Sequence, residues 1–320
     1  MKIFGFHDSS ACGYYRISLP LDAVAFYGKH DIQTSYGWNE EALKYPIIIG
    51  QRIGKEGAMK VWRRLRPGRR LIFEIDDDVF NIDPMNVFSS VEHKPEVLDS
   101  IEQAMTTAHT VTVSTSVLAE IARRYNPDVH VLPNCIDGKL LDVERPKRER
   151  LTIGWAGGTS HFTDWEVSAK HIGKFMQRNP KLDFHVIGTN FAGRTFGMNV
   201  RNTQWISHVW KYYYAIDFDI GIAPLAPIEF NRSKSHIKAL EYAALGIPVV
   251  ATDMEPYRDF VVHGETGYLV KHDYEWGRYL KLLTDDEDLR KEMGKKAKDL
   301  AADWTIQRRW KDWEQVWLGE

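Results

Sequence analysis

Short apolar runs recur along the first half of the chain at Lys2–Phe6, Ile47–Ile49, Leu71–Ile75, Thr110–Val113 and Val129–Leu132, separated by amphipathic or polar stretches. Runs of this length predict buried strands, and their alternation with helical stretches predicts a parallel α/β sheet. The polar, basic stretch Glu144 to Arg150 breaks this rhythm, which restarts at Leu151–Trp155, Phe184–Ile187, Ile220–Ala223 and Val249–Ala251. That break reads as a linker, giving domains 1–147 and 148–320. Two doubly wound, Rossmann-like domains in tandem present the carboxyl ends of their strands to each other, so the active site is expected in the cleft between them.

Composition supports a globular reading. Hydrophobic residues make up 43% of the 320 and charged residues 27%, which excludes a disordered or fibrous chain. A formal charge of −2 gives no global attraction to nucleic acid or anionic membrane. Cys12 and Cys135 lack metal-site or disulfide-scaffold spacing, and reduced thiols in a cytoplasmic setting are expected. The N-terminus has no signal-peptide pattern, and no apolar run is long enough for a membrane span.

In the second half, the strand Thr152-Ile-Gly-Trp155 runs into Ala156-Gly-Gly-Thr-Ser-His161, after which Thr163 and Glu166 have capping-box spacing. A helix is expected to begin near Asp164, with Trp165, Ile172, Phe175 and Met176 on its apolar face. Gly157, Gly158 and Thr159 then lie in a strand-to-helix turn where bare backbone can approach a phosphate. Conformational need alone explains two glycines in such a turn equally well.

A denser cluster follows the strand ending at Ala223. The loop Glu229-Phe-Asn-Arg-Ser-Lys234 leads into a helix predicted over Ser235–Leu245, stopped by Gly246 and Pro248. Lys234 and Lys238 are four apart, and Glu241 is three further on. Like charges at that spacing, near a helix N-terminus, disfavour an isolated helix by a few tenths of a kcal/mol. An anion bound between them removes the objection; a solvated face with mobile lysines is the alternative.

In the first half, Asp76, Asp77 and Asp78 follow an apolar strand and emerge at its carboxyl end. Acceptor positioning or proton removal is one role for them, with a capping turn or a metal site as alternatives. The arginines at 63, 64, 66, 69 and 70 form a basic cluster best explained as a solvated helix end. The tryptophans at 304, 310, 313 and 317 have partly helical spacing that favours core packing.

The segment Phe230-Asn-Arg-Ser-Lys-Ser-His-Ile-Lys-Ala-Leu-Glu-Tyr-Ala-Ala-Leu-Gly-Ile-Pro-Val-Val-Ala-Thr252 resembles the donor-site signature of GT-B glycosyltransferases related to glycosyltransferase family four. Leu132-Pro-Asn-Cys-Ile-Asp137, Ile153-Gly-Trp-Ala-Gly-Gly158 and His263-Gly-Glu-Thr-Gly-Tyr-Leu-Val270 resemble further segments of that family, in the right order. Cys12-Gly-Tyr-Tyr-Arg16 and Phe73-Glu-Ile-Asp-Asp-Asp78 resemble segments of a compact bacterial and bacteriophage branch.

The resemblance implies an α/β, GT-B enzyme that moves a sugar from a nucleotide-diphosphate donor to an acceptor hydroxyl, with retention, no metal and no cofactor beyond the nucleotide sugar. It implies that Glu241 bonds the donor ribose, while Gly157, Gly158, Thr159, Lys234, Ser235 and Lys238 hold the diphosphate. Lys234, Asp76 and Asp78 become the catalytic candidates, with His7, Arg16 and Asp77 on the acceptor side. A first glutamate, eight positions before Glu241 in many relatives, is here Ser233, which shifts sugar reading to Glu229 or Asn231. The last helix is expected to cross back to the first domain. The acceptor stays open among glycan, lipid, protein and nucleic-acid base. A nucleotide-sugar-binding protein without turnover, and an epimerase or hydrolase on the same fold, are the alternatives.

Overall fold

The computed structural model describes residues 1–7, 11–38, 40–83, 85, 94–146, 148–192 and 200–319. The first sheet contains β1 (Lys2–His7), β2 (Asp31–Tyr36), β3 (Ile47–Gln51), β4 (Arg70–Ile75), β5 (Thr110–Val113) and β6 (Val129–Val131). The second contains β7 (Thr152–Gly157), β8 (Asp183–Gly188), β9 (Val200–Thr203), β10 (Ile220–Ala223), β11 (Val249–Thr252) and β12 (Gly267–Val270). Their orders are β2-β1-β3-β4-β5-β6 and β12-β11-β10-β7-β8-β9. Each β1–β2 to β10–β11 pairing is parallel, so every connection is a crossover and both sheets are covered by helices. The second order is that of a dinucleotide-binding sheet, and the first follows the flavodoxin-like pattern. Each order reverses beside its first strand, and ligands of such sheets bind at that reversal.

Nine of these strands coincide with the apolar runs. The other three, β2, β9 and β12, are all sheet edges. β2 reads Asp-Ile-Gln-Thr-Ser-Tyr and is largely solvated, so it needs no continuous apolar run and leaves no such signal. The helix after β7 spans Phe162–Arg178, starting two residues before Asp164. The capping box does not form: no side chain caps this helix, and the Thr163 hydroxyl instead bonds Asp83 of the first domain. The helix expected over Ser235–Leu245 spans Ile237–Ala244, leaving Lys234, Ser235 and His236 in the loop before it.

The linker stretch, whose residue 147 lies outside the described residues, is tied to the second domain. Arg148 pairs with Asp217, Arg145 donates to the Phe218 carbonyl, and Arg150 pairs with Asp183 at 3.2 Å. After the second sheet, the Ile306–Leu318 helix packs against the Leu19–Gly28 helix of the first domain. Trp313 and Trp317 are fully buried there with Ile3, Ile17 and Leu132. Truncating either tryptophan to Ala costs about 3–5 kcal/mol. Arg70 of the basic cluster donates to the Val316 and Trp317 carbonyls and to Thr110, so it serves the end of this helix.

Candidate active site

A cavity of about 300 Å³ opens between the two sheets at the carboxyl ends of β1, β4, β7 and β10. Cys12, Tyr15, Asp76 and Asp77 line it from the first domain. Gly157, Gly158, His161, Lys234, Lys238 and Glu241 line it from the second.

Backbone shape is decided first at the glycine turn. A Cβ on Gly157 would stand 2.5 Å from the Trp155 ring, so the close packing of that ring against the turn requires glycine. A Cβ on Gly158 would meet only Trp205, at 3.7 Å, which leaves its backbone open to the cavity. Thr159 is exposed and does not line the cavity; Ser160 does.

Lys234 stands with its ammonium 4.4 Å from the Phe230 ring centroid. Phe230 is itself buried in the core of the first domain, so the loop carrying Lys234 is anchored across the cleft. Lys238, half-buried in the first turn of the Ile237–Ala244 helix, has its ammonium 5.2 Å from the Trp155 ring centroid and donates to the Ala156 carbonyl. Burial pulls it below the usual lysine value, to about 8, with Lys234 acting in the same sense and Glu241 opposing. Both cations line one volume, but not as one helix side: Lys234 lies in the loop before the Ile237–Ala244 helix that carries Lys238.

Glu241 also faces the cavity, but both of its oxygens are engaged. Tyr15 donates to one from the first domain, and Tyr212 donates to the other at 2.8 Å. Tyr213 completes the group with a hydroxyl contact to Tyr15 at 2.8 Å. Burial pushes the Glu241 carboxyl up, while the two tyrosines and Lys238 hold it down.

The Gly157–Gly158 turn ends on His161. Its Nδ1 lies 2.6 Å from Asp164 Oδ2, and Asp164 Oδ1 accepts from the Ala226 amide at 2.7 Å and from Asn231 Nδ2 at 2.6 Å. These bonds hold the Asp164 carboxyl below its ordinary range despite burial. The imidazole is driven down to about 4, first by desolvation and then by Lys238, so it is neutral at pH 7.

Several sequence-based expectations need correction. Arg16 is fully buried and cannot meet an acceptor: its guanidinium bonds Glu74 at 2.7 and 3.2 Å and lies 4.7 Å from the Trp313 ring centroid. Asp78 is fully buried as a turn cap, accepting from the Phe80 amide and from Asn81 Nδ2, which is the alternative that sequence reading left open. Asn231 is buried as the clamp on Asp164, and Glu229 is exposed and paired with Arg232, so neither reaches the cavity. Ser233 is buried too, its hydroxyl donating to the Phe230 carbonyl while its own carbonyl accepts from Thr115 of the first domain. His7 packs edge-on against Tyr36, with ring centroids 5.7 Å apart, and is not part of the cavity wall. Ser235 does line it and accepts from Asn134 at 2.7 Å.

Sequence reading missed Tyr15, Tyr212, His161 and Trp205. Tyr15 stood inside a quoted motif, and His161 at the end of the glycine turn; Tyr212 and Trp205 carry no local signal. Cys12, Asp76 and Asp77 place one ligand atom each within 4.8 Å of one another, a group capable of holding a cation.

Residues 237–300 match the family described as glycosyl transferases group 1. A D-inositol 3-phosphate glycosyltransferase of Corynebacterium diphtheriae is 30% identical over 172 residues, covering 48% of this chain and 39% of that protein. The chain thus matches well under half the length of this curated relative. Sucrose-phosphate synthase from Thermosynechococcus elongatus superposes with a TM-score of 0.69 at 12% identity, over 100% of both chains. The Anabaena protein HepE, solved in complex with UDP-glucose, superposes with a TM-score of 0.67 at 14% identity, over 98% of this chain and 99% of that one. At such identities the likeness concerns the fold: the chain has the two-domain α/β architecture of GT-B glycosyltransferases. Among the described residues no helix is long and apolar enough to cross a membrane.

Proposed function

We propose that this chain is a glycosyltransferase that takes a sugar from a nucleoside-diphosphate donor held in the cavity and transfers it to an acceptor hydroxyl. The observation that carries this reading is the convergence of Lys234, Lys238 and the Gly157–Gly158 turn on one volume whose opposite wall is Asp76 and Asp77. The match of residues 237–300 to a glycosyltransferase family supports it, and so does a structural neighbour solved with UDP-glucose.

The two ammonium groups face the diphosphate, where negative charge grows as the glycosidic bond breaks. The bare backbone at Gly158 lets the phosphates approach closely. Glu241 takes the ribose hydroxyls in place of one or both tyrosines, since a carboxylate accepts two hydroxyl protons. Asp76 and Asp77 orient the acceptor. The transfer is retaining, on the same face as the departing phosphate, which itself receives the acceptor proton. Lysine charge on the diphosphate makes a divalent metal unnecessary, and the free thiols at Cys12 and Cys135 accord with a cytoplasmic setting.

The test is a thermal-shift panel of nucleotide sugars, because a ligand selective for the folded state raises apparent stability. Incubation of the best donor with candidate acceptors follows, with NMR of the product anomeric proton. Release of nucleoside diphosphate with a retained linkage is expected. Donor binding without product in any acceptor class would leave a nucleotide-sugar-binding protein, and an inverted linkage would make Asp76 or Asp77 the general base.

A further inference from the structure

We propose that His161, held by Asp164, takes a proton from solvent at Nε2 when the donor diphosphate enters the cavity and becomes a third cation of that site. The inference rests on the reading of the cavity as a nucleotide-sugar site and adds to it a residue with a defined change of state.

The geometry fixes the tautomer. Asp164 is buried, and its Oδ1 already accepts from Ala226 and Asn231, so it is an ionised acceptor; the 2.6 Å contact at Oδ2 is a bond donated by His161 Nδ1–H. In the neutral ring Nε2 then carries a lone pair. His161 lines the cavity beside Gly157 and Gly158, and among the described residues its side-chain hydrogen bond is the one made through Nδ1. A lone pair presented to phosphate oxygens is repulsive, and the same atom once protonated donates a charge-assisted bond to them.

The charges around the ring decide when this happens. Asp164 on its own helix favours the imidazolium, while Lys238 and Lys234 on the facing helix and loop oppose it; the Trp155 indole on β7 packs edge-on and adds no formal charge. In the empty cavity burial and the two lysines win, and the ring is neutral above about pH 4. A diphosphate carries two negative charges into the same space. It offsets both lysines, and an opposite charge at contact favours the protonated ring. The bound imidazole therefore titrates above its empty value.

Isothermal titration calorimetry in buffers of different ionisation enthalpy, at pH 6, measures the proton count. UDP-glucose, ADP-glucose and GDP-mannose are the probes, since their diesterified diphosphate has no group titrating there. Lys238, held at about 8, is charged at pH 6, and bound anion only favours that charge, so it contributes no uptake. The best-binding donor is expected to be bound with net proton uptake by the protein. In His161→Asn the amide nitrogen stands where Nδ1 stood and keeps the bond to Asp164, but it cannot be protonated. That variant is expected to bind the donor about tenfold more weakly at pH 6, with uptake near zero and with the wild-type weakening between pH 6 and 7.5 abolished. Ring ¹⁵N shifts of the wild-type protein give a second readout independent of the variant's stability: Nε2 of one histidine should change from the unprotonated to the protonated range on donor addition at pH 6. Donor binding with neither uptake nor that shift overturns the inference and leaves the proposed function standing, as does unchanged uptake in His161→Asn. Failure of every nucleotide sugar to bind the wild-type protein overturns both.

Discussion

Tyr15 in the first domain donates its hydroxyl proton to Glu241 in the second, a residue 226 positions further along the chain. Tyr212 donates to the same carboxylate, and Tyr213 contacts the Tyr15 oxygen. The carboxylate proposed to read the donor ribose is thus satisfied across the cleft by phenols that stand where ribose hydroxyls would.

If the ribose replaces the Tyr15 hydroxyl, removing that hydroxyl removes a competitor. Tyr15→Phe is expected to tighten nucleotide binding by about three- to tenfold, about 0.7–1.4 kcal/mol and so below the 1.5–3 kcal/mol of a full hydrogen bond to a charged group. Calorimetric titration with the best nucleotide checks it. Weaker binding of similar size would mean that the tyrosine remains in the bound site and shares the carboxylate with the ligand.

Lys234 and Glu241 should fail in different ways. Lys234→Ala removes charge that matters more as the leaving phosphate gains charge, so kcat should fall along with donor affinity. Glu241→Gln weakens contacts present before and during transfer, so the main loss should be in donor binding, by about 1–3 kcal/mol. A 2′-deoxyribose donor should lose less affinity in Glu241→Gln than in the wild type; simple addition of the two losses would remove Glu241 from that contact.

Chelation separates the lysine-based site from a metal-based one. EDTA-treated protein is expected to keep most of its turnover, because Lys234 and Lys238 already supply positive charge at the cavity. Loss of activity that manganese or magnesium restores would instead assign Cys12, Asp76 and Asp77 as ligands of a required ion.

Arg16 should matter to folding rather than to acceptor binding. Burial pushes Glu74 up to about 7 even beside the Arg16 guanidinium, so the folded state binds more protons than the unfolded state between the ordinary value of 4.5 and 7. Stability from this group accordingly falls as pH rises through that window. Arg16→Ala leaves the carboxylate unpaired and should cost about 3–5 kcal/mol near pH 8. The cost should shrink near pH 5, where Glu74 in the variant stays protonated and neutral. Urea unfolding at both pH values reads the difference; an equal cost at both would mean that lost packing on Trp313, not charge, is the cause.

By itself the sequence determined the strands that sheets bury on both faces, because a central parallel strand must be apolar along its length. It also put Lys238 and Glu241, three apart, on one face of the Ile237–Ala244 helix by helical periodicity, whereas Lys234 lies in the loop before that helix and reaches the same cavity through tertiary structure. Edge strands such as β2 were not legible, because solvent on one flank relaxes the demand for apolar residues. Tertiary structure alone decided which polar residues are available for chemistry. Arg16, Asp78 and Asn231 read as site candidates by type and position, yet each is buried and engaged, Arg16 by Glu74 and Asn231 by Asp164 from distant segments and Asp78 by its own turn at Phe80. Conversely Tyr15 reaches Glu241 only because two sheets meet at their carboxyl ends, while Tyr212 reaches it from a neighbouring helix of the same half. Periodicity is a local property of the chain, whereas burial and partnership of a polar group depend on the contacts the folded chain makes.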